Sequence, residues 1–236
     1  KPPSSLNNIV LYAGRIWGSM SEGSSHLAET TSARSSLPLD GDMLCFSAID
    51  ETAAPLYDVW PLVKSADLGS WLTDGAESPA IPHQIKTRDV VRAIGASRNY
   101  ISVFGDASIQ LGKGQGIIEG LYNVKLPNTD LDFSEFLDSI GSKEFCVSEM
   151  NGNLYFLSPN DTRIYRMDRD GQVAWVSLPV QEALNTYTSA NIRQIVADDG
   201  LVYVLANDAT TKQSDILVYE EFRNIWTRFD AGQRNI

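Results

Sequence analysis

Histidine and cysteine are scarce in this chain, and each scarcity removes a class of function. Only His26 and His83 are present among 236 residues, which excludes a His-rich metal centre. Cys45 and Cys146 fall in apolar strand-like contexts, 101 positions apart. Cysteine in such settings behaves as a small hydrophobe, so two free buried thiols are expected; a disulfide between them is the other arrangement the spacing allows. No apolar run approaches the ~18 to 20 residues of a membrane span, and no charged-then-apolar signal segment opens the chain. Basic residues are outnumbered: 19 Lys and Arg face 30 Asp and Glu, for a net charge of -11. A general grip on nucleic acid needs clustered cations against the phosphates, and this balance argues against one. A wall with little positive charge would still let DNA slide past without holding it.

The familiar catalytic signatures are also missing. The sequence has no Gly-x-Ser-x-Gly elbow, Walker A loop or His-Glu-x-x-His. Gly112-Lys-Gly-Gln-Gly116 has the glycines of a phosphate loop but not the strand-to-helix setting that would hold phosphate, and reads as a turn. Asp168-Arg-Asp-Gly171 opens like a calcium loop and lacks the later acidic ligand, so a hairpin turn is expected. Asp198-Asp-Gly200 is read the same way. Paired carboxylates of a sugar-cleaving site need not be adjacent in sequence, and nothing here selects a pair. No catalytic, cofactor-binding or metal-ligating residue is assigned, and no cofactor is expected.

What the chain does contain is a repeat. Asn151-Gly-Asn-Leu-Tyr-Phe-Leu-Ser158 and Asp199-Gly-Leu-Val-Tyr-Val-Leu-Ala206 are two copies of one design, 48 residues apart from Tyr155 to Tyr203. Asn-Gly and Asp-Gly supply the left-handed dihedrals of a two-residue hairpin. A strand precedes each turn and further strands follow, at 163–167 and 173–177 in one copy and 216–220 and 225–229 in the other. Two earlier units fit the template more loosely. One has strands at 90–95, 100–105, 108–112 and 118–125, the other at 9–13, 15–19, 43–48 and 56–60. Trp17, Ser102, Tyr155 and Tyr203 align across the four, separated by 85, 53 and 48 residues. Four short strands per unit at such a period predict an all-β, β-propeller-like array of four-stranded blades in a single domain, 1–236. The units span about 8–62, 88–126, 143–179 and 191–230. A β-sandwich of hairpins would give similar turn signals.

A long loop at 18–42 interrupts the first unit, and a second at 63–86 separates it from the next. Loops of this length are uncommon unless they serve a function or stay flexible. Trp71, with His26 and His83, is the candidate interface set, because aromatic side chains dominate interface energetics. One short helix is expected after the capping-box pattern Asp132-Phe-Ser-Glu135, closed by Gly141. A second turn of helix is expected at 181–186.

The order of these units resembles the tail-stabilisation, tail hub or nozzle proteins of short-tailed bacteriophages. The resemblance rests on Val91-Arg-Ala-Ile-Gly-Ala-Ser-Arg-Asn-Tyr-Ile-Ser-Val-Phe-Gly105 with Ser108-Ile-Gln-Leu111, on Cys146 to Pro159, on Ile216-Leu-Val-Tyr219 before Trp226, and upstream on Ala13-Gly-Arg-Ile-Trp-Gly-Ser19 with Cys45-Phe-Ser47. It implies a structural virion protein without catalytic residues: a six-fold ring below the portal and adaptor, extending the DNA channel and carrying needle or fibre proteins. DNA would pass transiently, along an acidic inner face, without specific binding. Family members are usually longer, so the chain is expected to be the propeller part, a cleaved piece or a compact relative. The reading from another class is a ligand-binding or glycan-processing propeller of a bacterial or extracellular protein, which predicts a concave axial pocket. A kelch-like interaction module ranks below both, since its Gly-Gly, Tyr and Trp positions do not recur in every unit.

Overall fold

Antiparallel pairing organises the described residues. A computed structural model describes residues 6–12, 15–20, 43–46, 48–49, 55–56, 84–86, 89–113, 118–119, 128–129, 132–207 and 214–230. The strands are β1 (Leu6–Tyr12), β2 (Arg15–Met20), β3 (Met43–Phe46), β4 (Ala48–Ile49), β5 (Pro55–Leu56), β6 (Gln84–Lys86), β7 (Ala93–Ala96), β8 (Tyr100–Phe104), β9 (Ser108–Lys113), β10 (Ile118–Glu119), β11 (Asn128–Thr129) and β12 (Asp132–Asp138). They continue as β13 (Val147–Met150), β14 (Asn153–Leu157), β15 (Ile164–Met167), β16 (Val173–Trp175), β17 (Ile192–Asp198), β18 (Leu201–Asn207), β19 (Ser214–Glu220) and β20 (Ile225–Asp230). Four sheets of four strands result, in the orders β1-β2-β3-β6, β7-β8-β9-β12, β13-β14-β15-β16 and β17-β18-β19-β20. Two minor ladders, β4-β5 and β10-β11, complete the set among the described residues. The protein is all-β, with a 3-10 turn at Leu178–Val180 and one short α-helix, α1 (Gln181–Leu184), described between the third and fourth sheets.

The paired turn signals form as their chemistry dictates. Met150 pairs Asn153 around Asn151 and Gly152, whose φ values are 55° and 82°. Asp198 pairs Leu201 around Asp199 and Gly200, at 46° and 81°. Positive φ at both central residues matches the right-handed twist of the strands. Trp17, Ser102, Tyr155 and Tyr203 all lie in the second strand of their sheets. Asp168 builds the turn that resembled a calcium loop: its Oδ1 accepts from the Asp170 and Gln172 amides, both at 2.9 Å, beside Gly171 at φ 86°.

Three expectations are corrected. Residues 132–138 form strand β12, not a helix, and β12 rather than 118–125 closes the second sheet. A helix of one or two turns is marginal alone, whereas the free edge of β9 offers a ladder from Asp138 opposite Ser108 to Asp132 opposite Lys113. The first sheet is closed by β6, not by 56–60; of that segment only Leu56 is in a described strand, the two-residue β5. The proposed loops are accordingly shorter, since 18–20 belong to β2 and 84–86 to β6.

Strand alternation builds the core between sheets. On β14, Leu154 and Phe156 face Phe104, Ile109 and Leu111 of the second sheet. Their neighbours Tyr155 and Leu157 face Val202, Val204 and Leu217 of the fourth. On β8, Ile101 and Val103 turn the other way, towards Tyr12 and Trp17 of the first sheet. The Trp17 indole is fully buried and donates to the Tyr12 carbonyl at 3.0 Å. Gly95 allows the second and third sheets to approach closely, since a Cβ there would meet Leu154 at 2.9 Å. Fully burying one such side chain is worth about 1.5–3 kcal/mol, and these three cores bind four sheets in sequence.

Candidate functional site

The first strands of all four sheets line one depression of about 380 Å³. β1 contributes Asn8, Ile9 and Val10; β7 contributes Ala93 and Ile94; β17 contributes Gln194, Ile195 and Val196. The third sheet adds Val147 and Ser148 from β13, with Phe145 from the preceding turn. Alternation explains the arrangement. Val10 and Tyr12 of β1 pack on the second sheet, which turns Ile9 and Leu11 outward, at 61% and 62% exposure. Ile195 and Ala197 of β17 pack on the third sheet, which turns Val196 outward.

Phe145 is held in this position by its backbone. Its φ is 60°, a conformation uncommon for a bulky residue, and its ring is 67% exposed. The Phe145 carbonyl accepts from the Ile195 amide at 3.4 Å, and the Ala197 amide donates to Ser148 Oγ at 2.9 Å. Beside it, Lys143 Nζ donates to the carbonyls of Ser189, Ala190 and Ile192 at 2.7, 3.2 and 2.6 Å. Burial lowers the Lys143 pKa from the usual range for lysine. Strain at an exposed aromatic points to a use outside the core.

Among the described residues no titratable side chain lines the depression. Its chemistry is apolar contact, with amides and one hydroxyl at the edge. The described side chains that line it are neutral.

Among the described residues the three cores link the four sheets in chain order. Buried clusters join the first sheet to the second, the second to the third and the third to the fourth. No such cluster joins the fourth to the first among the described residues. On β18, Val202, Val204 and Ala206 are buried, while Leu201, Tyr203 and Leu205 on the opposite face are only half-buried. Tyr155, the counterpart of Tyr203 in the repeat, is fully buried because its sheet is covered on both faces.

Trp71, His26 and His83 lie outside the described residues, as do Cys45's side chain and most of the two long loops. Cys146 is buried and free. Burial pushes its thiol up to about 11, against the opposing pull of Lys143. No cluster of three or more metal-ligating side chains occurs among the described residues, and no helix there is long and apolar enough to cross a membrane. Sequence reasoning missed Ile9, Phe145 and Val196. The signal for Ile9 was present in the apolar run Ile9-Val-Leu-Tyr12, which has too many apolar residues for a one-sided strand.

No protein-family model matches the chain, and no curated protein matches it. Among solved structures it is similar to Hsv2 of Kluyveromyces lactis, with a TM-score of 0.34 and 10% identity, over 98% of this chain and 74% of that one. It is also similar to a protein of Bacteroides fragilis NCTC 9343 described as exported, with a TM-score of 0.32 and 11% identity, over 98% and 73% of the two chains. Both likenesses are too weak to assign a fold.

Proposed function

We propose that this chain is a structural subunit whose four sheets form a β-propeller-like series completed by contact with other protein. The observation that carries this reading is the apolar depression lined by the first strands of the four sheets. Ile9, Phe145 and Val196 are exposed around one depression, and three sheets supply them. Apolar side chains converging from separate elements mark interaction surfaces more often than isolated ones do. The depression offers neither an acid nor a base for catalysis, whereas shape and apolar area suit a protein contact.

The assembly that the sequence resemblance implies is the ring of a phage tail, below the portal and adaptor. In that setting the depression would meet a neighbouring subunit or an adaptor chain, with needle or fibre proteins held elsewhere on the ring. Rigid sheets fix the contact, and the net negative charge keeps passing DNA from adhering. Localisation in the virion follows from the same reading.

Native mass spectrometry of the protein from its natural source, with co-purifying chains identified, tests the proposal. The expected result is a six-fold ring or a complex with portal-type chains. A monomer without virion partners would overturn the tail assignment and favour the ligand-binding reading.

A further inference from the structure

We propose that the cleft between the third and fourth sheets binds a sugar acid, its carboxylate on Arg166 and its hydroxyls on Glu221. The cleft lies apart from the depression described above and stands independently of the assembly reading. It measures about 370 Å³, within the range of small-ligand sites. Arg166 of β15 and Trp175 of β16 form one wall, followed by Leu178. Tyr219 of β19, with Glu221 and Asn224 in the next turn, forms the other.

The polar groups lining the cleft have unused hydrogen-bonding capacity. Arg166 Nε is buried, and no described residue accepts its hydrogen. A buried donor without an acceptor is costly, and a guanidinium suits a carboxylate best because its fork matches two oxygens. Arg166 forms no ion pair with Glu221 among the described residues, although its charge acts on that carboxyl. The two charges therefore face one cleft without neutralising each other directly. Glu221 Oε1 already accepts from Tyr155 and Asn153, both at 2.6 Å. Glu221 Oε2 has only the Asn151 amide at 3.3 Å, which leaves an acceptor for a ligand hydroxyl. Asn224 Oδ1 accepts from the Tyr219 hydroxyl at 3.0 Å, and its NH₂ is left to donate.

This set selects among ligand classes. A neutral sugar would leave the guanidinium uncompensated. A phosphate or sulfate brings more negative charge against Glu221. A ligand with one carboxylate and several hydroxyls satisfies both ends. Val176, Pro179 and the exposed Leu178 supply apolar surface for the C–H face of a pyranose.

The test is isothermal titration of the full chain with glucuronate, glucose and lactate, in parallel with Arg166→Met and Asn224→Gly. Glycine suits Asn224's φ of 54°, so the second variant removes the amide without backbone strain. Saturable glucuronate binding is expected, weakened at least about tenfold by Arg166→Met and severalfold by Asn224→Gly. Glucose and lactate should each bind at least about tenfold more weakly than glucuronate. Absence of saturable glucuronate binding overturns the proposal. So does glucose or lactate equalling glucuronate, or both variants binding like the parent. If Arg166→Met loses its native circular dichroism, Asn224→Gly decides alone.

Discussion

The Tyr155 hydroxyl donates to Glu221 Oε1 at 2.6 Å, and this bond spans the seam between the third and fourth sheets. Tyr155 is fully buried, and its ring lies 6.1 Å from that of Tyr219. Asn151 and Asn153 add their amides to the same carboxylate. One acidic residue in a turn thus gathers three donors from the neighbouring sheet.

Replacing Tyr155 by Phe keeps the ring packing and removes one of these donors. Hydrogen bonds to charged groups contribute about 1.5–3 kcal/mol, but water reaches part of Glu221, so a loss of about 1–2 kcal/mol is expected. Urea unfolding should show a lower midpoint with an unchanged slope. A midpoint equal to the parent's would mean the bond adds nothing to the seam.

Acid should weaken the same seam. Burial pushes the Glu221 carboxyl upward, but hydrogen bonds from Tyr155, Asn151 and Asn153, with the Arg166 charge, outweigh it and hold the pKa below the usual carboxylate value. A folded pKa below the unfolded one gives stability that is present above the unfolded value. That stability is lost as pH falls through the folded value. Melting temperatures of parent and Glu221→Gln from pH 7 to pH 3 provide the measurement. The parent should lose its advantage over the variant below about pH 4.5, the region where an unfolded Glu titrates. A constant difference across that range would exclude Glu221 as the group responsible.

The hairpins were the legible part of the fold, because Asn151-Gly152 and Asp199-Gly200 carry their dihedral preference in two adjacent residues. The all-β class followed from their repetition around Tyr155 and Tyr203. Strand β12 was obscured because Asp132-Phe-Ser-Glu135 satisfies a local helix-start pattern, while the ladder that decides its state comes from Ser108 to Lys113, distant in sequence. Strand β6 has three residues and no periodicity to read. The two candidate sites were harder still. Phe145 acquires its meaning from a positive φ that no residue type announces. Arg166 and Glu221 each look like a charged residue on the solvent side of a strand or turn, and only the packing of two sheets brings them to one cleft.

The Cys146 thiol should be inert in the folded protein. With its pKa pushed up to about 11 by burial, almost no thiolate exists at pH 8. A chromogenic disulfide reagent should therefore leave Cys146 unmodified under native conditions and label it once denaturant unfolds the chain. Mass mapping of the labelled peptide separates this site from Cys45. Rapid native labelling of Cys146 would show that the core between the third and fourth sheets opens locally.

Phe145 provides the sharpest separation of stability from assembly. A left-handed conformation costs a side-chain-bearing residue roughly 1–2 kcal/mol, which glycine avoids. Glycine in turn loses about 0.4–1 kcal/mol through the greater freedom of its unfolded chain. The ring is mostly exposed, so little core packing is lost. Phe145→Gly should therefore leave folding stability unchanged or raise it by up to about 1.5 kcal/mol. If Phe145 anchors a protein contact, the same variant should weaken assembly by about tenfold or more, or about 1.4 kcal/mol. Ile9→Lys should act similarly, because its side chain is 61% exposed and a charge there costs nothing until the surface is covered. Denaturation curves and native mass spectra on both variants measure the two quantities separately. Intact folding with lost assembly supports an interface at this depression. Intact folding with intact assembly would place the contact elsewhere, and a large loss of stability would make Phe145 a structural residue.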